Sequence, residues 1–334
     1  MATPRQQRID PKTVPAPKKA PAKKSGRPGG RPPGAAPLPT ATLGGWIGAA
    51  RLQTLPLAIA PVALGTSVAY LHTHVPEDIG WHWLRALLCL AVALFLQVGV
   101  NFANDYSDGV RGTDKHRVGP ARLTASGAVR PRTVLIVAFV FFALAAVAGL
   151  VIVYRTEYWW LIAVGAVAIA AAYFYTGGKK PYGYYGLGEV FVFLFFGLVA
   201  TVGTTFALSG DIPTESWLAG VAIGLIACAV LVVNNIRDRA QDKLAGKRTL
   251  TVLIGDLPSR IAYGVLLLAP FGILVFFTLL FENAYLVYFA LLAAVPAVGI
   301  VLSAKTPGEL IVALRLTTLT ALLFGLGLGW AIAF

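Results

Sequence analysis

Residues 83–108 read WLRALLCLAVALFLQVGVNFANDYSD. Apart from Arg85, nothing charged interrupts this run before Asp105, and a bilayer core takes about 20 apolar residues of helix. It therefore reads as a membrane crossing that ends in a polar cluster, Asn101, Asn104, Asp105 and Asp108. Residues 216–242, SWLAGVAIGLIACAVLVVNNIRDRAQD, repeat the design, with Asn234, Asp238 and Asp242 at the polar end. Asp105 and Asp238 lie 133 positions apart, with three more apolar runs between the two.

Working outward, runs of this kind recur near 54–72, 83–104, 131–153, 158–176, 186–208, 216–235, 259–280, 284–303 and 310–333. The backbone must satisfy its own hydrogen bonds in hydrocarbon, and runs this long do so as helices rather than as barrel strands. The expectation is an all-α multi-pass membrane protein with nine transmembrane helices. Composition agrees: the 334 residues are 57% apolar and 13% charged, and the mean hydropathy is +0.72. Soluble domains run at about 45–50% apolar and about 25% charged, so the composition argues against a water-soluble enzyme.

The net charge of +13 invites a nucleic-acid reading, but its distribution argues otherwise. Residues 1–50 hold nine Lys and Arg against a single acid, Asp10, together with ten of the 21 prolines. Such a segment buries too little to repay ordering and reads as a disordered cytosolic tail. It lacks aromatic interleaving or a recognisable module, so it fits anionic lipid headgroups better than nucleic acid. No apolar stretch follows the basic residues in the manner of a secretory signal. The domain proper is then 51–334. Cys89 and Cys228 sit in apolar runs, as core thiols and not as a disulfide framework.

Orientation follows from Lys and Arg counts between the spans. The tail and alternate gaps carry 25, against Arg85 and Arg155 on the other side, with Arg315 inside the last run. The N-terminus is expected in the cytoplasm and the C-terminus outside, with both polar clusters on the cytosolic face.

The spacings within the clusters carry chemistry. Asn101 and Asp105, Asn104 and Asp108, Asn234 and Asp238, and Asp238 and Asp242 are each four residues apart. Residues at that spacing share a helix face. Each cluster is thus a column of oxygen donors without His or Cys, which suits a hard cation such as magnesium and not zinc. Four carboxylates, two divalent ions and the neighbouring Lys and Arg together suit a large anion of the diphosphate kind. Acids embedded near a membrane are costly and mark function. They also mark ion paths, so an ion-coupled transporter is the alternative of a different class. The placement of the acids at one face, away from midplane, argues against it.

Several segments resemble one family. These are Arg51-Leu-Gln-Thr54-Leu-Pro56, Asn104-Asp105-Tyr-Ser-Asp108, Arg117-Val-Gly119-Pro120-Ala-Arg122, Pro181-Tyr182-Gly183-Tyr184-Tyr185-Gly186-Leu-Gly188-Glu189, and Asn234-Asn235-Ile-Arg237-Asp238 with Asp242 and Gly246-Lys247-Arg248-Thr249-Leu250. Residues 50–334 are similar in these motifs to the UbiA superfamily of intramembrane prenyltransferases, most of all to its branch acting on 1,4-dihydroxy-2-naphthoate. The 4-hydroxybenzoate branch carries a third Asp where Gly112 stands, an Arg-Pro-Leu run where Gly119-Pro120 stands, and Asp in place of Asn234. Leu52, where Pro is commoner, is the main departure within the motifs.

The resemblance implies a UbiA-like helical bundle that moves a polyprenyl chain from polyprenyl diphosphate onto 1,4-dihydroxy-2-naphthoate. Carbon dioxide would be lost, giving demethylmenaquinone in a bacterial plasma membrane. 4-Hydroxybenzoate or homogentisate are the alternative acceptors. Mg2+ would be held by Asp105, Asp108, Asp238 and Asp242, with Asn101, Asn104 and Asn234 as neutral donors. Arg117, Arg122, Lys180 and Arg237 would grip the diphosphate. Gln97 and Tyr182 would line the acceptor site, and Glu189 would take the acceptor's hydroxyl proton or serve as an acid at a helix N-terminus.

Overall fold

The computed structural model describes residues 41–73, 79–113 and 122–334. All regular structure among them is helical. Helix α1 (Leu43–Ala50) begins where the Thr42 hydroxyl accepts the Gly45 N–H, and ends at Arg51, whose φ of 54° is left-handed. A single turn, Leu52–Thr54, leads to α2 (Pro56–His72), which restarts at a proline already fixed for the first helical position. The two segments bend by 45°.

Helix α3 (Ile79–Arg111) is followed by α4 (Pro131–Thr156) and the shorter α5 (Leu161–Phe174). Then come α6 (Gly188–Ser209), α7 (Thr214–Leu244), α8 (Asp256–Leu280) and α9 (Glu282–Ser303). The last, α10 (Pro307–Ala333), opens with a capping box between Thr306 and Glu309. Among the described residues, seven helices are long and apolar enough to cross a membrane, and eight if α1 and α2 form one bent span. This fits a multi-pass membrane protein. The sequence run at 158–176 yields only the 14-residue α5, so the count of nine depends on that short helix.

Two boundaries differ from expectation. The tail was expected to reach residue 50, yet 43–50 are helical and packed: Ala49 is buried and the Trp46 ring lies 5.8 Å from that of Phe102. A cap at Thr42 and one buried face suffice to fold a segment whose composition alone reads as tail. Residues 1–40 of the expected tail lie outside the described residues. The first polar cluster also does not mark the end of a helix. Helix α3 continues through Asp105 and Asp108 to Arg111, so both acids are displayed on regular helix.

Packing falls into two main units. Leu64 and Val68 of α2 pack with Ile226 and Val233 of α7, Leu267 and Leu274 of α8, Ala294 and Ala297 of α9, and Phe324 and Leu328 of α10. Val98 and Phe102 of α3 pack with Val134, Ala138 and Phe142 of α4, closed by Ala49 and Leu123. Lipid tails are as apolar as these side chains, so close packing, not the hydrophobic effect, must hold the helices together. Helix α6 shows how. Its segment Phe193–Val199 widens into π turns, and a Cβ on Gly197 would lie 2.7 Å from the Gly220 carbonyl oxygen and the Gly224 Cα. Backbone meets backbone there, which only glycine permits.

Candidate active site

The two polar clusters converge through the loops that follow them. On α3, Asp108 is buried; its Oδ1 accepts the Tyr184 hydroxyl at 2.6 Å and its Oδ2 accepts Lys247 Nζ at 3.1 Å. The same Nζ lies 3.8 Å from Asp242 Oδ1 on α7. One buried ammonium therefore joins a carboxylate from each cluster. It also sits 4.6 Å above the Tyr184 ring, and the Arg111 guanidinium sits 5.3 Å from it. Burial pushes the Tyr184 phenol well above its ordinary value of 10, and the adjacent Asp108 carboxylate pushes it further. The group therefore remains a hydrogen-bond donor.

The remaining acids are also satisfied. Asp238 takes both Nε and Nη2 of its neighbour Arg237 at 2.8 Å, a buried two-point pair. Asp105 accepts two backbone N–H groups, those of Leu123 and Thr124, each at 2.9 Å. Bonds to backbone carbonyls knit the loops together. Arg111 donates to the carbonyls of Thr176 and Gly178, and the Arg248 N–H donates to the Tyr184 carbonyl at 2.8 Å.

Toward the membrane interior the columns continue in amides. Asn104 Oδ1 accepts the Thr176 hydroxyl at 2.6 Å. Asn101 Nδ2 donates to the Ala50 carbonyl at 2.9 Å and, more weakly, to the Thr54 hydroxyl at 3.4 Å. Gln97 Nε2 donates to that same hydroxyl at 2.8 Å, which leaves Gln97 Oε1 buried without a partner. These amides head a cavity of about 540 Å³. Arg51, Thr54, Gln97, Asn101, Asn104 and Asn234 line its polar end, and mostly apolar side chains of α2 to α7 line the rest. Leu150 and Ile162 line it while being 51% and 44% exposed, so it reaches the outer face of the bundle between α4 and α5.

Of the residues expected from sequence, the structure brings Asp108 and Asp242 together through Lys247, and brings Gln97, Asn101, Asn104 and Asn234 to the cavity. Tyr182 also lines it, with its ring 4.0 Å from that of Phe191 and its hydroxyl donating to the Ala171 carbonyl. Glu189 accepts from Asn235 Nδ2 at 3.1 Å. Arg122 is half-buried beside the Asp105-bound turn, Lys180 is exposed, and Arg117 lies outside the described residues. The sequence does not mark Lys247, Tyr184, Thr54 and Thr176 as members of the site. Lys247 is one of several loop cations and Tyr184 one of three nearby tyrosines, so only the loop fold distinguishes them.

Among the described residues no three acids, histidines or cysteines converge to hold a metal ion. The donor chemistry nevertheless fits a hard divalent cation. It is oxygen-only, it comes from two helices, and a cation already draws Asp108 and Asp242 together. Loading would require Lys247 and Arg237 to release their carboxylates.

The fold and this site define a helical membrane protein with a buried cluster of carboxylates and cationic side chains over an apolar cavity. Residues 58–307 match the UbiA prenyltransferase family, and the chain belongs to it. It is 47% identical over 297 residues to the 1,4-dihydroxy-2-naphthoate octaprenyltransferase of Mycobacterium tuberculosis, covering 88% of this chain and 98% of that protein. The fold resembles the apo structure of a UbiA homolog from Aeropyrum pernix K1 (TM-score 0.63, 17% identity, 83% of this chain and 97% of that one). It also resembles a UbiA homolog from Archaeoglobus fulgidus bound to GPP and Mg2+ (TM-score 0.60, 14% identity, 86% and 99%).

Proposed function

We propose that the protein transfers a polyprenyl chain from its diphosphate to 1,4-dihydroxy-2-naphthoate with loss of carbon dioxide, a step toward menaquinone. The observation that carries this reading is one juxtaposition. An apolar cavity is headed by Asn101, Asn104 and Asn234, and Asp105, Asp108 and Asp238 follow those amides by four residues on the same helices. The name of the 47%-identical relative supports the choice of acceptor.

The bond from the allylic carbon to the diphosphate oxygen breaks, and its electron pair leaves with the diphosphate. The naphthoate carbon bearing the carboxylate forms the new carbon–carbon bond. The carboxylate departs as carbon dioxide and returns its bonding pair to the ring, giving the hydroquinone form of demethylmenaquinone. No net proton is needed, so a base such as Glu189 would tune the acceptor's hydroxyl and not complete the stoichiometry. Magnesium, when bound, neutralises the charge gathering on the departing diphosphate. Asp108, Asp238 and Asp242 would hold it, with Asn101, Asn104 and Asn234 as neutral donors, and Asp105 is the fourth acid of the set. Arg117, Arg122, Lys180 and Arg237 supply positive charge for the diphosphate oxygens, and Lys247 joins them. Gln97 Oε1 accepts from an acceptor hydroxyl, and Tyr182 and Phe191 present ring faces to the allylic cation. The apolar walls keep out water that would quench it.

In this reading the chain crosses a bacterial plasma membrane nine times, with α5 as a short crossing. The N-terminus lies in the cytoplasm and the C-terminus outside. The test is competition in membranes containing the full chain, given magnesium, a polyprenyl diphosphate and equal amounts of 1,4-dihydroxy-2-naphthoate, 4-hydroxybenzoate and homogentisate. A prenylated naphthalene product lacking its carboxylate, abolished by chelator, is expected. A prenylated benzoate or homogentisate as the main product overturns the acceptor assignment.

A further inference from the structure

Asp105 opens the acidic pattern of α3, yet its surroundings differ from those of the other three acids. It is fully buried, at 0% exposure, and both oxygens are engaged by successive backbone N–H groups, Oδ2 by Leu123 and Oδ1 by Thr124, at 2.9 Å each. A carboxylate holding two amide N–H groups is a strong, charge-assisted anchor. Two further contacts hold the same two residues. The Leu123 side chain, 2% exposed, is inserted among Ala49, Val98 and Phe102. Gly109, one turn beyond Asp105, leaves room for Thr124: a Cβ there would come within 2.5 Å of the Thr124 Cβ. The loop is thus fixed to α3 by a carboxylate, an apolar plug and a missing methyl group. Arg122 is the residue immediately before this fixed pair.

We propose that Asp105 is a positioning residue and not a metal ligand: its carboxylate latches the α3–α4 loop onto α3, and the latch sets where Arg122 emerges toward the diphosphate. This rests on the diphosphate site proposed above. It divides the four acids by task. Asp108, Asp238 and Asp242 meet cationic side chains and can exchange them for a divalent ion, whereas among the described residues Asp105 meets the backbone N–H groups of Leu123 and Thr124.

The test uses the full chain in lipid nanodiscs, comparing Asp105→Asn with Asp108→Asn by three readouts. Hydrogen exchange of peptides spanning 122–127 is measured without metal. Mn2+ binding is measured by electron paramagnetic resonance without substrate. KM for the prenyl diphosphate is separated from kcat. For Asp105→Asn, exchange at Leu123 and Thr124 should rise at least tenfold, Mn2+ affinity should stay within threefold of wild type, and KM should rise tenfold with the smaller change in kcat. Arg122→Ala added to Asp105→Asn should then cost less than Arg122→Ala alone. For Asp108→Asn, Mn2+ binding should fall while exchange at 122–127 holds. Loss of Mn2+ binding in Asp105→Asn with unchanged exchange overturns the proposal. If Asp105→Asn fails to fold, Gly109→Ala presses on Thr124 from the other side. It should reproduce the faster exchange and the higher KM with Mn2+ affinity intact, and normal exchange and KM would count against the latch. If the wild-type chain prenylates no acceptor, the diphosphate reading falls with Arg122's role. The exchange and Mn2+ arms still decide whether Asp105 holds the loop or the metal.

Discussion

Lys247 Nζ lies 3.1 Å from Asp108 Oδ2, with both side chains at most 10% exposed, so a residue from the α7–α8 loop neutralises an acid on α3 139 positions away. Asp242 is the third partner, at 3.8 Å. Removing one member of a buried ion pair leaves an uncompensated charge and costs about 3–5 kcal/mol. Lys247→Met should therefore lower the melting temperature of the metal-free protein. Asp108 and Asp242 then lose the Lys247 ammonium, so added magnesium should raise the melting temperature of the variant more than that of wild type. An equal or smaller gain in a differential scanning experiment would show that Lys247 does not hold a cation's place.

Tyr184 bonds the other oxygen of Asp108 at 2.6 Å. Tyr184→Phe keeps the ring beneath Lys247 and removes the donor to a charged acceptor, worth about 1.5–3 kcal/mol. A tenfold or larger fall in kcat/KM for the prenyl diphosphate is expected in steady-state assays. Because the phenol is held above its ordinary value of 10, its hydrogen bond is fully present below that pH. It is lost only as pH climbs through the raised value. The wild-type stability–pH curve should thus show no tyrosine-linked decline on the acid side of 10.

The Thr54 hydroxyl receives Gln97 and Asn101 and itself donates to the Arg51 carbonyl at 2.8 Å. Thr54→Val has nearly the same shape and strands the buried Gln97 amide, at about 1–3 kcal/mol, while Asn101 keeps the Ala50 carbonyl. The expected result is a tenfold to hundredfold loss in kcat/KM for the aromatic acceptor, with Mn2+ affinity unchanged. Equal losses for the acceptor and for the metal would mean that the hydroxyl supports the whole site.

At the α6–α7 contact, Gly197→Val would place carbon 2.7 Å from the Gly220 and Gly224 backbones. Overpacking of a tight contact costs about 1–3 kcal/mol, and neither backbone has a side chain to move aside. A lower melting temperature with retained Mn2+ affinity is expected.

Much of this was legible in the sequence because membranes impose strong rules. Run length is read directly, and four-residue spacing places Asn101 with Asp105 and Asn234 with Asp238. What the sequence hid was the partner of each acid. Asp105 and Asp108 have similar neighbours along the chain, and nothing local says that one meets backbone amides at 123–124 and the other meets Lys247. Those contacts are made by loops folding back over 18 and 139 residues. Helix α1 was hidden for a related reason: beside the local Thr42 cap it rests on tertiary contact with Phe102 and Leu123. The length of α5 was overread, because an apolar run signals burial in lipid but not where a helix starts.

The cavity that reaches the outer face between Leu150 and Ile162 has a further consequence. Its volume of about 540 Å³ is that of a site for a drug-sized ligand. A donor of many isoprene units outgrows it and must leave its far end among the lipid acyl chains. Lipid solvates that end as well as protein would, so units beyond the opening add nothing to affinity and meet no wall. For the prenyl transfer proposed above, such a cavity would measure no chain length: the tail would be set by the polyprenyl diphosphate supplied, and the product would already lie in the bilayer when its ring leaves.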